Sequence, residues 1–409
     1  MDTVLQQTLA AQLPPPSAGW PAWFIERRQR ALDALVSARW PQRKDEAWKY
    51  TSLHELAQQA PQVVQAAVPA AVDDAAMVFV AGQGAVGNAP PFMRRLADAL
   101  ASGQAGQALA PATPAAEGGD VFDHANAAFA SDGALIDVPA GYVDDDWFRI
   151  HIRGAGQAAS THWHLAHRIQ LGEGANLRLH LDQEALSGSG LATIVSDIRV
   201  ARGAHLELAW TRAAGDMASI ARTRIELEAD ARLTLHVLDA GASPSRHDLT
   251  VVLAGENVQS DVGGVFMLEG RRVADLQFDL RHDSPNASSN TTWRAIANER
   301  SRAVFNGHIN VAKGADGTDA QLGCKSLLGS VQAEVDAKPV LEIYADDVKC
   351  AHGATVGQLD AQALFYLRSR GIGLDQARSM LTRAFAAEAF GERQDSPAAL
   401  RLAQWLEVA

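Results

Sequence analysis

The 409 residues contain only two cysteines, Cys324 and Cys350. That excludes a disulfide framework and any zinc site built from paired CxxC motifs, and it fits a reducing compartment. Basic residues are also in short supply: 36 Lys+Arg against 48 Asp+Glu give 36 − 48 = −12. Broad capture of nucleic acid or of an anionic membrane surface depends on Lys and Arg neutralising phosphates, so neither partner is expected. No run of about 18 apolar residues offers a membrane span. The start, MDTVLQQTLAAQLPPP, has neither the basic flank nor the apolar segment of a signal peptide, so a cytoplasmic location is expected. There is no GxSxG elbow and no GxxxxGK[ST] phosphate loop, so any ATP hydrolysis must come from another polypeptide. What remains is an ordinary globular balance, 47% hydrophobic and 21% charged, with chain enough for about two or three domains.

Three regions follow from the patterning: 1–118, 119–350 and 351–409. In the first, after Pro14-Pro15-Pro16, Pro21 stands where a helix can begin. Trp23, Phe24, Ala31, Leu32 and Leu35 then recur at helical spacing, predicting an amphipathic helix of about four turns. Residues 66–118, rich in Ala, Pro, Gly and Gln, read as a loosely patterned αβ segment ending in a flexible stretch. From about Ala134 the period becomes two. Three segments are self-similar: IQLGEGANLRLHL from Ile169, IRVARGAHLELAW from Ile198 and IELEADARLTLHV from Ile225, with starts 29 and 27 residues apart. TVVLAGENVQSDV repeats the pattern more weakly. In each, alternating apolar residues flank a turn of Gly, Ala, Asp or Asn. Repetition at such a period indicates a solenoid, whose single repeats cannot hide their Leu, Ile and Val until they stack. Short turns with no helical pattern between strands predict a parallel β-helix, the competing architecture being an antiparallel jelly roll. Asn286-Ala-Ser and Asn290-Thr-Thr read as turn residues. Beyond Gln358 the helical period returns. Asp360 is placed to cap a helix ending at Gly371, and Asp375 to cap a second with Ala377, Met380, Leu381, Ala384 and Phe385 on one stripe. A helical tail spans Pro397 to Leu406. These helices could close the end of the coil stack or dock a partner.

Several motifs carry chemistry in principle. Gly82-Gln-Gly84-Ala-Val-Gly87 after MVFVA imitates a dinucleotide fingerprint, but Asn88-Ala-Pro90-Pro91 stands where the helix should open, so a glycine-rich turn is the better reading. His162-Trp-His164-Leu-Ala-His167, with Gly156 upstream, resembles the start of a cupin metal motif. It lacks the expected carboxylate: Arg168 and Ile169 stand there instead. A cupin-like metal-dependent enzyme using His162, His164 and His167 is the alternative functional reading, against solenoid-rung histidines shared with His180, His205 and His236. An exported carbohydrate-processing β-helix enzyme is disfavoured by the N-terminal sequence. Cys350-Ala-His352-Gly puts a thiol and an imidazole two residues apart, a pairing that suits iron or sulfur species, although taken alone a structural cysteine beside a satisfied histidine is the commoner outcome.

The surrounding run, LEIYADDVKCAHGATVGQLD from Leu341 and LFYLRSRGI from Leu364, closely resembles the SufB/SufD family of iron–sulfur cluster assembly scaffolds, its SufD branch in particular. The resemblance extends through ERSRAVFNGHINVAKGADGTDAQ from Glu299, FDHANAAFASDGALIDVP from Phe122 and EAWKYTSL from Glu46. It implies a mainly β protein, with a right-handed parallel β-helix flanked by N-terminal and C-terminal helical regions. It implies a non-catalytic scaffold that works with the paralogue SufB and the ATPase SufC, or pairs with itself in isolation. It also implies a transient cluster shared with SufB, with Cys350 and His352 as the ligands from this side and no tightly bound cofactor in the lone chain. Docking of SufC on the C-terminal helices is carried onto Phe365, Leu367, Arg368 and Arg370, with helical core packing as the other explanation of those residues. SufB proteins typically carry more cysteines, which favours the SufD branch. Nothing is transferred to Cys324, and Ala351 stands where Ser is common.

Overall fold

The computed structural model describes residues 3–64, 75–103, 119–155 and 160–408. Gly156 and most of the stretch expected to be flexible, 104–118, lie outside the described residues. From Ala134 onward the strands alternate between two sheets: Thr161–Leu171 lies in the first, Asn176–Gln183 in the second, and Gly190–Val200 back in the first. Each strand pairs in parallel with the strand two places on, which builds two stacked sheets of ten strands. The jelly-roll alternative is thereby overturned, since that architecture is antiparallel throughout.

The sequence repeat is the structural register. Ile169, Ile198 and Ile225 are successive ladder partners, and the same column continues through Val251, Leu280, Ile309 and Leu341. With the Leu-x-Leu residues of the facing sheet, such as Leu177, Leu206 and Leu233, they form one continuous core. Each fully buried Leu or Ile contributes on the order of 1.5–3 kcal/mol. The turn positions repeat as well: Gly174, Gly203, Asp230, Asn257 and Asn286 all adopt positive φ, between 58° and 65°, where Gly, Asn and Asp are the residues that tolerate it. Asn286 is thus a turn residue as read from sequence. Asn290 is not; it sits on the outer face of strand Ser288–Ala297 and donates to Asp261.

The N-terminal end of the stack is closed. Strands Met77–Val80 and Gln83–Val86 form a hairpin whose two-residue turn is Ala81-Gly82, both at positive φ, the geometry favoured in tight hairpins. The hairpin joins the second sheet at its first strand. The amide of Gly84 donates to Asp132 (2.9 Å), so this glycine-rich run is a turn and a strand rather than a phosphate cradle. Helix Ala22–Ser37 begins one residue later than predicted, with Pro21 in the cap position. Phe24 packs with Ala99, Leu100 and Leu135, while Ala31 and Leu35 pack with helix Val121–Phe129. The segment containing EAWKYTSL lies across the outside of the first sheet. Lys338 donates to Glu46, Arg246 stacks over Trp48, Arg302 over Tyr50, and Thr51 bonds Asp275.

The C-terminal helices Ala361–Ser369, Leu374–Ala387 and Pro397–Val408 do not close the end of the stack. The latter two lie along the outer face of the second sheet, where Ala386, Phe390, Ala398 and Leu402 pack on Ala209, Leu238, Val265 and Ile296. Asp360 caps the first helix through the Gln362 amide (2.8 Å). The second has Gly373 rather than Asp375 at its N-cap, with Asp375 two residues further in; of its expected stripe Ala377 is buried but Met380 is 45% exposed. No helix among the described residues is long and apolar enough to cross a membrane.

Close approach of the helical layer depends on Gly263. A Cβ there would lie 2.1 Å from the carbonyl oxygen of Ala389, a backbone atom that cannot rotate away. Gly263→Ala is therefore expected to loosen the C-terminal helices by about 1–3 kcal/mol while the solenoid stays intact. Faster amide exchange confined to residues beyond 374 would show it, and unchanged exchange there would contradict it.

Candidate functional site

The two sheets end differently from how they begin. Their final strands, Glu334–Ile343 and Lys349–Gly357, are each paired on one side only among the described residues. Strand Lys349–Gly357 carries the ladder past residue 350. A bare edge is a template for another strand, and proteins blunt it with charge or proline. The first edge is blunted: it carries Glu334, Asp336, Lys338, Pro339 and Glu342. The second, KCAHGATVG, has one charged residue, at its start, and no proline.

Cys350 and His352 lie on that second edge. Alternation puts both on one face, and the register says which one. Cys350 pairs with Ala320 and His352 with Leu322, both inward-facing core residues, whereas Ala351 pairs with exposed Gln321. The thiol and the imidazole therefore project on the interior side of the coil, at its open end. Cys350 is half-buried and packs against the core, while His352 is exposed. Burial, and then the nearby Asp319 carboxylate, push the Cys350 thiol above its ordinary pKa, so the free chain holds it protonated. Cys324 is different: it is fully buried one strand deeper, and burial pushes it up to about 11, an inert core thiol.

The histidine motif does not converge. His162 and His164 face outward under helix Val121–Phe129, hydrogen-bonded to each other (3.0 Å) and, through His164 Nδ1, to Thr193 (2.7 Å), against the Phe129 ring. His167 faces the opposite way, into the core, beside Phe79. One strand has put the third histidine on the other side of the sheet, so the cupin-like reading is overturned together with its barrel. Among the described residues no group of three or more His, Cys, Asp or Glu could hold a metal ion.

Helix Ala361–Ser369 buries none of its residues. Phe365 is 75% and Tyr366 57% exposed, Arg368 and Arg370 are exposed, Leu367 is half-buried, and Arg370 lies over the Tyr366 ring. Core packing does not explain these side chains. The open edge itself was missed in sequence; the available signal was Pro339 in the middle of a charged strand, since a mid-strand proline marks an edge.

Residues 152–385 match the family model described as SUF system FeS cluster assembly, SufBD core domain. The chain is 34% identical over 379 residues to the iron–sulfur cluster assembly protein SufD of Escherichia coli K12, covering 88% of this chain and 87% of that one. It is 30% identical over 396 residues to an iron–sulfur cluster assembly SufBD family protein of Synechocystis, covering 89% and 86%. With the solenoid ladder accounting for the matched core, the chain belongs to the SufB/SufD family, on its SufD branch.

Proposed function

We propose that this chain is a non-catalytic scaffold subunit of cytoplasmic iron–sulfur cluster assembly. In this reading its last strand meets a sister subunit, SufB, and lends Cys350 and His352 to a cluster growing at that boundary. The observation that carries the reading is the edge: a thiol and an imidazole share one face of an unblocked, singly paired strand. The cluster is cargo rather than a resident cofactor. Clusters usually take four protein ligands, so two donors from this side leave the remainder to the facing subunit. Such a divided site releases its cargo when the boundary opens. A metal binding Cys350 displaces the thiol proton.

The exposed helix Ala361–Ser369 is the proposed seat of the ATPase SufC, through Phe365, Leu367, Arg368 and Arg370. Three residues, 358–360, separate it from the edge strand. A displacement of the helix by an ATP-driven partner would thus be felt at the strand bearing Cys350. In isolation the same bare edge suits pairing of two copies.

His352→Ala is expected to lower anaerobic cluster formation by the three-protein assembly about tenfold or more, with thermal unfolding unchanged because the side chain is exposed. Undiminished assembly would remove His352 from the role. Affinity purification from native cells should bring down an ATPase and a cysteine-richer paralogue.

A further inference from the structure

Inside the first turns of the solenoid the core is not wholly apolar. On the strands of the first sheet, His167, Ser196 and Thr223 are successive register partners. They lie on the same inward face as Leu165, Ile169, Ile194 and Ile198. The next turn adds His247, whose Nε2 meets the Thr223 hydroxyl at 3.0 Å. All four are at most 3% exposed. His167 Nε2, Ser196 Oγ and His247 Nδ1 have no hydrogen-bond partner among the described residues.

The tautomer of His167 fixes which ring nitrogen is the donor. Its Nδ1 accepts from the Ala134 amide (3.0 Å), so in the neutral ring the proton sits on Nε2. That is a donor, deep in the core, with no acceptor. Leaving such a group unpaired is unfavourable, and buried polar groups in native proteins are nearly always satisfied, by ordered water where protein atoms fail. Parallel strands stand about 4.8 Å apart, and one water making two bonds of about 2.8 Å bridges roughly that span. Ser196, with a hydroxyl that both donates and accepts, then stands between His167 and Thr223 as a relay.

We infer that the interior of the solenoid binds a file of ordered water running from His167 Nε2 past Ser196 to Thr223 and His247. Its first member accepts from His167 and bonds the Ser196 hydroxyl. Towards the open end the file stops at Leu249, the next rung after Thr223, and at Leu276, the next rung after His247 in the neighbouring column. It is therefore separate from the edge carrying Cys350.

The wild-type protein tests this directly. A crystal structure at about 1.8 Å resolution should show water density within hydrogen-bond reach of both His167 Nε2 and Ser196 Oγ. In solution, the Nε2 proton of His167 in histidine-labelled protein should give a cross-relaxation peak with water. His167→Phe should abolish the first water, and Ser196→Ala should retain it with one partner fewer. A dry interior, or a repacked His167 whose Nε2 donates to a protein oxygen with no water peak, overturns the inference.

Discussion

Acidification from pH 6.5 to pH 4 is expected to unfold this protein. His162, His167, His180, His236 and His282 are each held down to about 4 by burial, and burial holds His164 and His247 well below the ordinary value of 6.5. The sign follows from proton counting. Between pH 6.5 and 4 the unfolded chain binds protons at these rings and the folded one does not, so stability falls as pH falls. A depression from 6.5 to about 4 corresponds to roughly 3 kcal/mol per histidine once pH reaches the folded value. Five such groups together come to about the upper end of the roughly 5–15 kcal/mol by which domains are usually stable. Urea titrations at half-unit steps from pH 7.5 should show a steepening loss below 6.5. A midpoint that is flat down to pH 4.5 would mean the rings protonate in place.

The second large effect comes from the interior ion pair of Arg212 and Asp239. Arg212 is 1% exposed. Its Nη1 donates to Asp239 (2.9 Å), and its Nη2 donates to the carbonyl and hydroxyl of Ser219. Asp239 also accepts from Ser245 and from the Gly241 amide, both at 2.8 Å. The carboxylate is thus the hub of a strand-end corner joining both sheets. Asp239→Ala leaves a guanidinium with no counter-charge in a site without solvent, a loss of about 3–5 kcal/mol. Replacing both residues, Arg212→Met with Asp239→Leu, removes the orphaned charge and should recover much of that loss. A single variant destabilised by less than about 1 kcal/mol, measured by urea unfolding at neutral pH, would show that water already enters this corner.

How legible this was depended on the range of the interaction. The solenoid could be read because parallel stacking makes register equal to sequence period; the Ile169, Ile198 and Ile225 segments announce their own ladder. Helix Ala22–Ser37 and the Asp360 cap are local, and were readable for the same reason. Placement of the C-terminal helices was not, because it rests on Gly263 making room for Ala389, a contact between residues more than a hundred positions apart. The histidine cluster misled because proximity in sequence says nothing about side: in a strand, moving from His164 to His167 is an odd step, and an odd step changes face. Cys350 and His352 were picked out through family resemblance, and the structure adds their inward face and the bare edge beneath them. Their ligand role belongs to the proposal.

The strip of chain around Trp48 has a mechanical consequence. Coil stacks are held by nearest-neighbour contacts, and left to themselves they fray from the end inward. Here one peptide grips Arg246, Asp275, Arg302 and Lys338, which sit on four consecutive rungs of one sheet. Like a lace drawn through successive eyelets, it makes the last rung hard to peel without disturbing the first three. The open end of the ladder is in this way tied to a rung three turns deeper in the stack.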